Sequence, residues 1–449
     1  MKRIFLYLII ALGVLSACSD DDSFTTSRSH LLTFSNDTVK MDTVFSTVGS
    51  STYTFWAYNN SGDGLRLKSV RLKNGNQTGF RVNVDGSYLD NLMGSVVFDL
   101  EVRKGDSIRV FVELTAPENM KTEAQMVEDD LVFQLESGVE QPVKLQCCAW
   151  DAVKVKDLTV KSDTVIESEK PLVVYGSGIT VEPGTVLTLR NTRVFFHNSA
   201  GVRVKGSLKL ENSELRGDRL DHMFSYLPYN RVSGQWQGIC FEESSAGNEM
   251  TDSQIMNAMT AVMLDSAAVD SLVPRLKMTR CVVHNCEGHG VISYHSNIAL
   301  YYCQLTNTLG DCLAIYGGMA DVDHCTMAQF YPFKSNHGVA LRFSDFMDGL
   351  QLNCRNSIVT GIGNDQVMAE RNDTTITLFY NFNNCLLRTP VVKNDTVNFK
   401  QVQWESPEDS IQGRQHFVKI DDKNFEYDFH LDSLSTAKDK GCYLRIVNE

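Results

Sequence analysis

The chain has 449 residues, 43% of them hydrophobic, and a formal net charge of −13 at pH 7. That length leaves room for about three domains of ~150 residues, unless a repeating fold runs longer as one unit. So acidic a balance, with no basic stripe, argues against nucleic acid and against a polybasic membrane surface as partners.

In chain order, Lys2-Arg3 form a positive start and Phe5 to Leu15 an apolar run of 11 residues. The run is too short to cross a bilayer but suits a signal peptide, which predicts a leader over 1–17. It ends in Leu15-Ser16-Ala17-Cys18, which resembles the bacterial lipoprotein box. The resemblance implies that Cys18 becomes the lipidated first residue, and loss of Lys2 and Arg3 would take the net charge from −13 to −15. Several acyl chains, at ~0.8 kcal/mol per buried CH2, would hold the protein to a membrane. No second apolar segment approaches ~18 residues, so the N-terminal lipid is the one expected membrane contact.

Residues 18–29 read as an acidic tether, in which Ser19-Asp20-Asp21-Asp22 resembles the surface-export tag of lipoproteins from Bacteroides-type bacteria. A plain solvated spacer would look the same. Ten Asp-(Ser/Thr)-(Ala/Ile/Leu/Val/Met/Thr) triplets start at Asp37, Asp42, Asp106, Asp163, Asp265, Asp270, Asp373, Asp395, Asp409 and Asp432. They resemble the O-glycosylation signal of those bacteria, although Asp-Ser and Asp-Thr also start turns. These resemblances imply an outer-membrane protein exposed at the cell surface.

Over 30–152 the hydrophobic pattern has period two. Thr52 to Tyr58 alternates, Asn59-Asn60-Ser61-Gly62-Asp63-Gly64 makes a turn, Leu65 to Leu72 alternates again, and Ser107 to Leu114 is another half-buried strand. About seven such antiparallel strands predict an immunoglobulin-like β-sandwich, without a Cys–Trp–Cys framework. Its expected role is to cap the first coil of the repeating segment C-terminal to it.

From 153 to 400 the sequence repeats. Cys281-Val282-Val283, Cys303-Gln304-Leu305 and Cys325-Thr326-Met327 recur every 22 residues, and Gly290-Val291-Ile292-Ser293 keeps step with Cys312-Leu313-Ala314-Ile315. Gly338-Val339-Ala340-Leu341 follows 26 later, as if four residues were looped out around Pro332. Ser253, Asn356 and Cys385 extend the ladder at longer periods. A fixed period of this length means a solenoid. The leucine ladder and asparagine of leucine-rich repeats are missing, while short apolar triplets between Gly, Asn, Asp and Ser predict strands and tight turns. The alternating stretches Ile179 to Leu189 and Gly201 to Leu210, with Gly234-Gln235-Trp236-Gln237-Gly238-Ile239, resemble right-handed parallel β-helix (pectin-lyase-like) proteins. The resemblance covers about Val155 to Asn398 and implies the fold, which hosts unrelated activities. The fold class expected is therefore all-β: an N-terminal sandwich, then a right-handed parallel β-helix.

Eleven cysteines remain beside Cys18, an odd number, and coils ~4.8 Å apart would stack Cys281, Cys303 and Cys325 as small apolar filler. No CxxC pair occurs, so a zinc site is not expected; no cofactor is expected either. Between Gly217 and Gln235 an insertion rich in aromatics, including Tyr226 and Tyr229 with Trp236 just beyond it, would serve as a lid or as a sugar contact. Residues 401–449 form a tail in which Tyr427-Asp428-Phe429-His430-Leu431 through Gly441 resembles the segment that seals the last coil of other β-helix proteins.

Gly288-His289-Gly290 and Gly310-Asp311-Cys312 resemble two polygalacturonase motifs, which would make Asp311 and His289 catalytic. An inverting glycosidase needs two or three carboxylates converging at ~6.5–9.5 Å. Here one aspartate stands where that family has a pair, the histidine precedes it, and no Arg-Ile-Lys segment follows. Asp321-Val322-Asp323 beside His324 offers two carboxylates to a lyase, far short of a Ca²⁺ cage. A binding strip fits better. If Val291, Leu313 and Val339 point inward, Tyr294, Tyr316 and Arg342 point outward in one column. Such a strip suits stacking on sugars, and suits equally a ladder that only stabilises the sheet. The expected function is a non-catalytic glycan- or protein-binding surface on an outer-membrane lipoprotein; the alternative is a polysaccharide lyase or glycoside hydrolase.

Overall fold

The computed structural model describes residues 23–345, 349–371, 375, 378–406, 408 and 413–442. The leader, Cys18, the acidic tag and the triplets at Asp373 and Asp409 lie outside the described residues. The chain divides into two compact units, 1–151 and 152–449.

The first unit is a sandwich of two sheets. One orders Thr33–Phe34, Tyr53–Tyr58, Ser107–Leu114, Phe80–Val84 and Ser87–Tyr88, all antiparallel. The other orders Thr38–Lys40, Glu140–Trp150, Gln125–Leu135, Leu65–Leu72 and Val96–Val102. Period-two alternation puts Phe55 and Ala57, Val110 and Val112, Leu65 and Leu67, and Phe133 and Leu135 on the inner faces, where they share one core. Each of the Phe, Val and Leu side chains contributes about 1.5–3 kcal/mol when buried. The sheets are not wholly antiparallel: Thr38–Lys40 and Val44–Phe45 run parallel to Glu140–Trp150. These strands have two or three residues each, too short for alternation to reveal their direction.

The second unit is a right-handed parallel β-helix with three faces. The first face stacks Ile239–Phe241, Val262–Leu264, the opening halves of Val291–Tyr301 and Leu313–Asp323, Leu341–Ser344 and Val367–Glu370. The second stacks Asn248–Thr251, Leu276–Thr279, the closing halves of the same two long strands, Leu350–Arg355 and Leu378–Asn383. The third stacks Gln254–Met256, Val282–Cys286, Gln304–Thr308, Thr326–Gln329, Ile358–Gly361 and Leu386–Leu387. Inward residues of all three build one continuous core, and Phe382, Phe399 and Trp404 fill it near the last coil, with ring centroids 5.4 and 5.2 Å apart.

The corner from second to third face explains the cysteine ladder. One residue per coil turns it in the left-handed region: Asn191, Asn212, Asp252, Arg280, Tyr302, His324, Asn356 and Asn384, with φ from 47° to 55°. That conformation costs a typical L-residue roughly 1–2 kcal/mol, and Asn or Asp less. Contacts along the corner hold the others: Arg280 donates twice to Asp252 at 2.6 and 2.7 Å, and Tyr302 stacks on His324 at 4.9 Å. In these coils the next residue is small and buried: Thr192, Ser213, Ser253, Cys281, Cys303, Cys325, Ser357 and Cys385; in the last coil Gln401 turns the corner and the larger Val402 follows. All eleven described cysteines are free thiols. Unfolding the protein without reductant should therefore titrate eleven thiols, and a peptide map that finds a bridge among Cys281, Cys303 and Cys325 would refute the filler role.

The tail takes a different course from a seal over the last coil. Phe417–Asp421 and Glu426–Leu431 form an antiparallel hairpin that lies along the outside of the third face. Phe417, Phe429 and Ala437 pack with Met256, Val282, Ala328, Phe330, Ile358 and Leu386, outward residues of successive coils and the adjoining corner. These outward apolar residues left the third face unfit for water, and the tail covers it.

Candidate functional site

With the third face covered, the open surfaces of the helix are the first and second faces. The chain enters the first face through a corner carrying two long insertions, 218–237 and 330–340, joined where Ser233 and Tyr331 share a hydroxyl hydrogen bond of 2.8 Å. The corner itself is tight. A Cβ on Gly290 would lie 2.5 Å from the Cys312 carbonyl oxygen, and one on Gly338 2.5 Å from the Gly310 carbonyl carbon. The glycines around His289 and Asp311 are thus required by coil stacking.

The structure brings His289, Asp311 and Arg342 together. Asp311 is only 3% exposed, and its two oxygens are both engaged. Oδ1 accepts the Val339 N–H at 2.8 Å and Arg342 Nη2 at 3.3 Å, while Oδ2 accepts Arg342 Nε at 2.8 Å. Arg342 reaches on to Glu370. His289 Nδ1 lies 3.5 Å from Asp311 Oδ2, but it accepts the Asp311 backbone N–H at 3.0 Å. Burial pushes the His289 imidazole below its usual value, against the pull of Asp311. Both facts describe a neutral ring with its proton on Nε2, so His289 and Asp311 are neighbours rather than an ion pair.

The tyrosine column is real but shorter than expected. Tyr294 pairs with Tyr316, and the rings stack 5.4 Å apart within 15° of parallel. Arg342 does not continue it: Leu341 aligns with Leu313, so Arg342 sits beside Ala314 and Ser344 beside Tyr316. The corner absorbs six extra residues rather than four, which moves Val339 into the turn and makes Leu341 the inward residue. Since the two rings face each other, they show edges and hydroxyls to solvent, not flat faces. Burial first, then the charge of Asp311, pushes the Tyr316 hydroxyl up, so it stays a neutral donor.

The remaining expected contacts scatter. Trp236 is wholly buried, stacked on Phe196 at 4.3 Å with Nε1 donating to the Met256 carbonyl at 2.8 Å; it belongs to the core, not to a ligand site. Tyr226 is exposed at the tip of the insertion against Phe224, and Tyr229 lies under the Arg219 guanidinium. On the second face, Arg355 spans Asp321 at 2.6 Å and Asp323 at 3.2 Å, and Tyr301 donates to Asp321 at 2.9 Å. Burial works against the Asp323 anion, yet the Asn356 hydrogen bond and Arg355 hold its carboxyl below the usual range. Among the described residues no three His, Cys, Asp or Glu side chains gather as a metal site. Glu370, the second partner of Arg342, escapes a reading based on the 22-residue period because its coil follows at 26.

The model of the right-handed β-helix region matches residues 147–329. No curated protein matches the chain in sequence. Among solved structures the chain is similar to the catalytic unit of a thermostable GH87 alpha-1,3-glucanase from Streptomyces thermodiastaticus, at 12% identity over 78% of this chain and 89% of that one, with a TM-score of 0.24. A PapD-like domain of human CEP192 matches at 12% identity over 30% of this chain and 93% of that one, TM-score 0.18. A family 123 glycoside hydrolase from Clostridium perfringens matches at 8% identity and TM-score 0.19; 27% of this chain is matched, and only 26% of the hydrolase's length is spanned.

Proposed function

We propose that the protein is an outer-membrane lipoprotein, held by lipid on Cys18, whose β-helix binds glycan at the cell surface without cleaving it. The observation that carries this reading is the state of the carboxylates beside the tyrosine pair. Asp311 gives both oxygens to Arg342 and the Val339 N–H, and Glu370 is tied to the same guanidinium. General acid catalysis needs a protonated carboxyl free to reach the leaving oxygen; the buried Asp311 is not free, and Glu370 is held through one oxygen as an anionic partner of Arg342. The same place offers two positioned hydroxyls, those of Tyr294 and Tyr316, which would lose little side-chain entropy on meeting sugar hydroxyls.

Two experiments test the two halves. Tyr294→Phe with Tyr316→Phe keeps the stack and removes only the hydroxyls. On an array of neutral glycans the double variant should bind at least tenfold more weakly than the wild type, and undiminished binding would reject the site. Cys18→Ala should move the protein from the membrane to the soluble fraction, because the acyl chains supply its strong lipid affinity. A variant that still sediments with membranes would reject the anchor.

A further inference from the structure

The outer face of the five-stranded sheet in the N-terminal unit carries a second cluster of binding chemistry. Alternation turns Thr54, Trp56 and Tyr58 of one strand to solvent, while Phe55 and Ala57 go to the core. On the neighbouring strand it exposes Arg109 and half-buries Phe111. Register sets Trp56 opposite Arg109 and Thr54 opposite Phe111; Asn83 and then Tyr88 follow on the next strands. The Trp56 and Tyr58 rings lie 6.5 Å apart within 18° of parallel, each residue 37% exposed. An exposed aromatic pair beside a third ring and an arginine is a contiguous cluster rather than a set of scattered surface residues.

Arg109 is the telling residue. Its guanidinium lies 5.5 Å from the Trp56 ring centroid and 4.6 Å from that of Phe111, so two rings hold it in place. Arg81 on the same outer face is neutralised by Glu113 at 3.1 Å. Arg109 has no carboxylate partner among the described residues. In a chain of net charge −13, a positioned and unpaired guanidinium calls for an external anion.

We propose that this face binds a glycan containing uronic acid. A sugar ring packs against the exposed parts of the Trp56 and Tyr58 rings, Arg109 takes the uronate carboxylate with two parallel N–H donors, and Thr54 and Asn83 meet hydroxyls. The site is separate from the tyrosine pair of the β-helix and does not depend on it. The test titrates the full chain with a galacturonic acid trimer, by calorimetry and by quenching of tryptophan fluorescence. Wild type should bind it with saturation, and the neutral galactose trimer at least tenfold more weakly. Arg109→Gln should bring the acidic trimer down to the neutral level, and Trp56→Ala should remove binding of the acidic trimer. These are exposed positions, and unchanged thermal unfolding confirms that the variants fold. No binding by wild type, equal affinity for the two trimers, or full affinity for the acidic trimer in Arg109→Gln or Trp56→Ala would each overturn the proposal.

Discussion

Arg342→Met is expected to destabilise the β-helix by about 3 kcal/mol, because it strands the Asp311 carboxylate in a site 3% open to water. Removing one partner of a buried pair costs roughly 3–5 kcal/mol, and the 18% exposure of Arg342 argues for the lower end. The Val339 N–H would remain as a partner of Asp311. Adding Asp311→Asn to Arg342→Met should restore much of the loss, since a neutral amide tolerates the site where a lone anion does not. Denaturant midpoints of the β-helix transition measure both. If Arg342→Met costs under ~0.5 kcal/mol, as an exposed change would, Asp311 is solvated and open to substrate, and the structural assignment fails.

The β-helix should also lose stability steadily as pH falls from about 6.5 toward 3, and His284 should account for much of it. Its ring lies on the third face beneath the tail, with Tyr427 and Phe429 edge-on at 5.5 and 6.3 Å and Nδ1 2.8 Å from the Thr306 hydroxyl. Burial pushes the imidazole down to about 3. An unfolded histidine takes up a proton near ~6.5, so below that pH the unfolded chain binds a proton that the folded one refuses. Stability from this residue is complete above ~6.5 and declines by up to about 1.4 kcal/mol per unit until pH reaches the folded value. At pH 4 the deficit relative to pH 7 should approach about 3 kcal/mol. His284→Gln should flatten that slope while carboxylate contributions stay in both proteins. Equal slopes in wild type and variant would show that the tail does not seal this face from water.

How far the sequence reveals the structure depends on how local each cause is. The cysteine ladder is legible because one left-handed residue per coil forces a small inward neighbour, so corner geometry writes itself at Cys281, Cys303 and Cys325. The register at Arg342 is not legible, since an insertion of four or of six residues around Pro332 leaves the same apolar letters and only pairing distinguishes them. The course of the tail is hidden for a similar reason. Phe417 and Phe429 announce a buried hairpin but not which face lies beneath it; the outward apolar residues Met256, Val282 and Ile358 are the available hint. Trp236 looks like a ligand contact because tryptophan near an aromatic insertion suits both roles, and only depth separates them. The Trp56–Tyr58–Arg109 cluster stands at outward positions of two strands whose alternation is plain, but pairing across strands is what assembles it.

If the β-helix holds glycan and leaves it intact, binding and cleavage must separate in a single mixture. The purified full chain is incubated with polysaccharides that it retains, and the mixtures are assayed for new reducing ends and for the absorbance of unsaturated uronate products. Retention with neither signal is the predicted result. Cleavage by the wild type that disappears in Asp311→Asn, with retention preserved, would contradict it and make Asp311 a catalytic carboxylate.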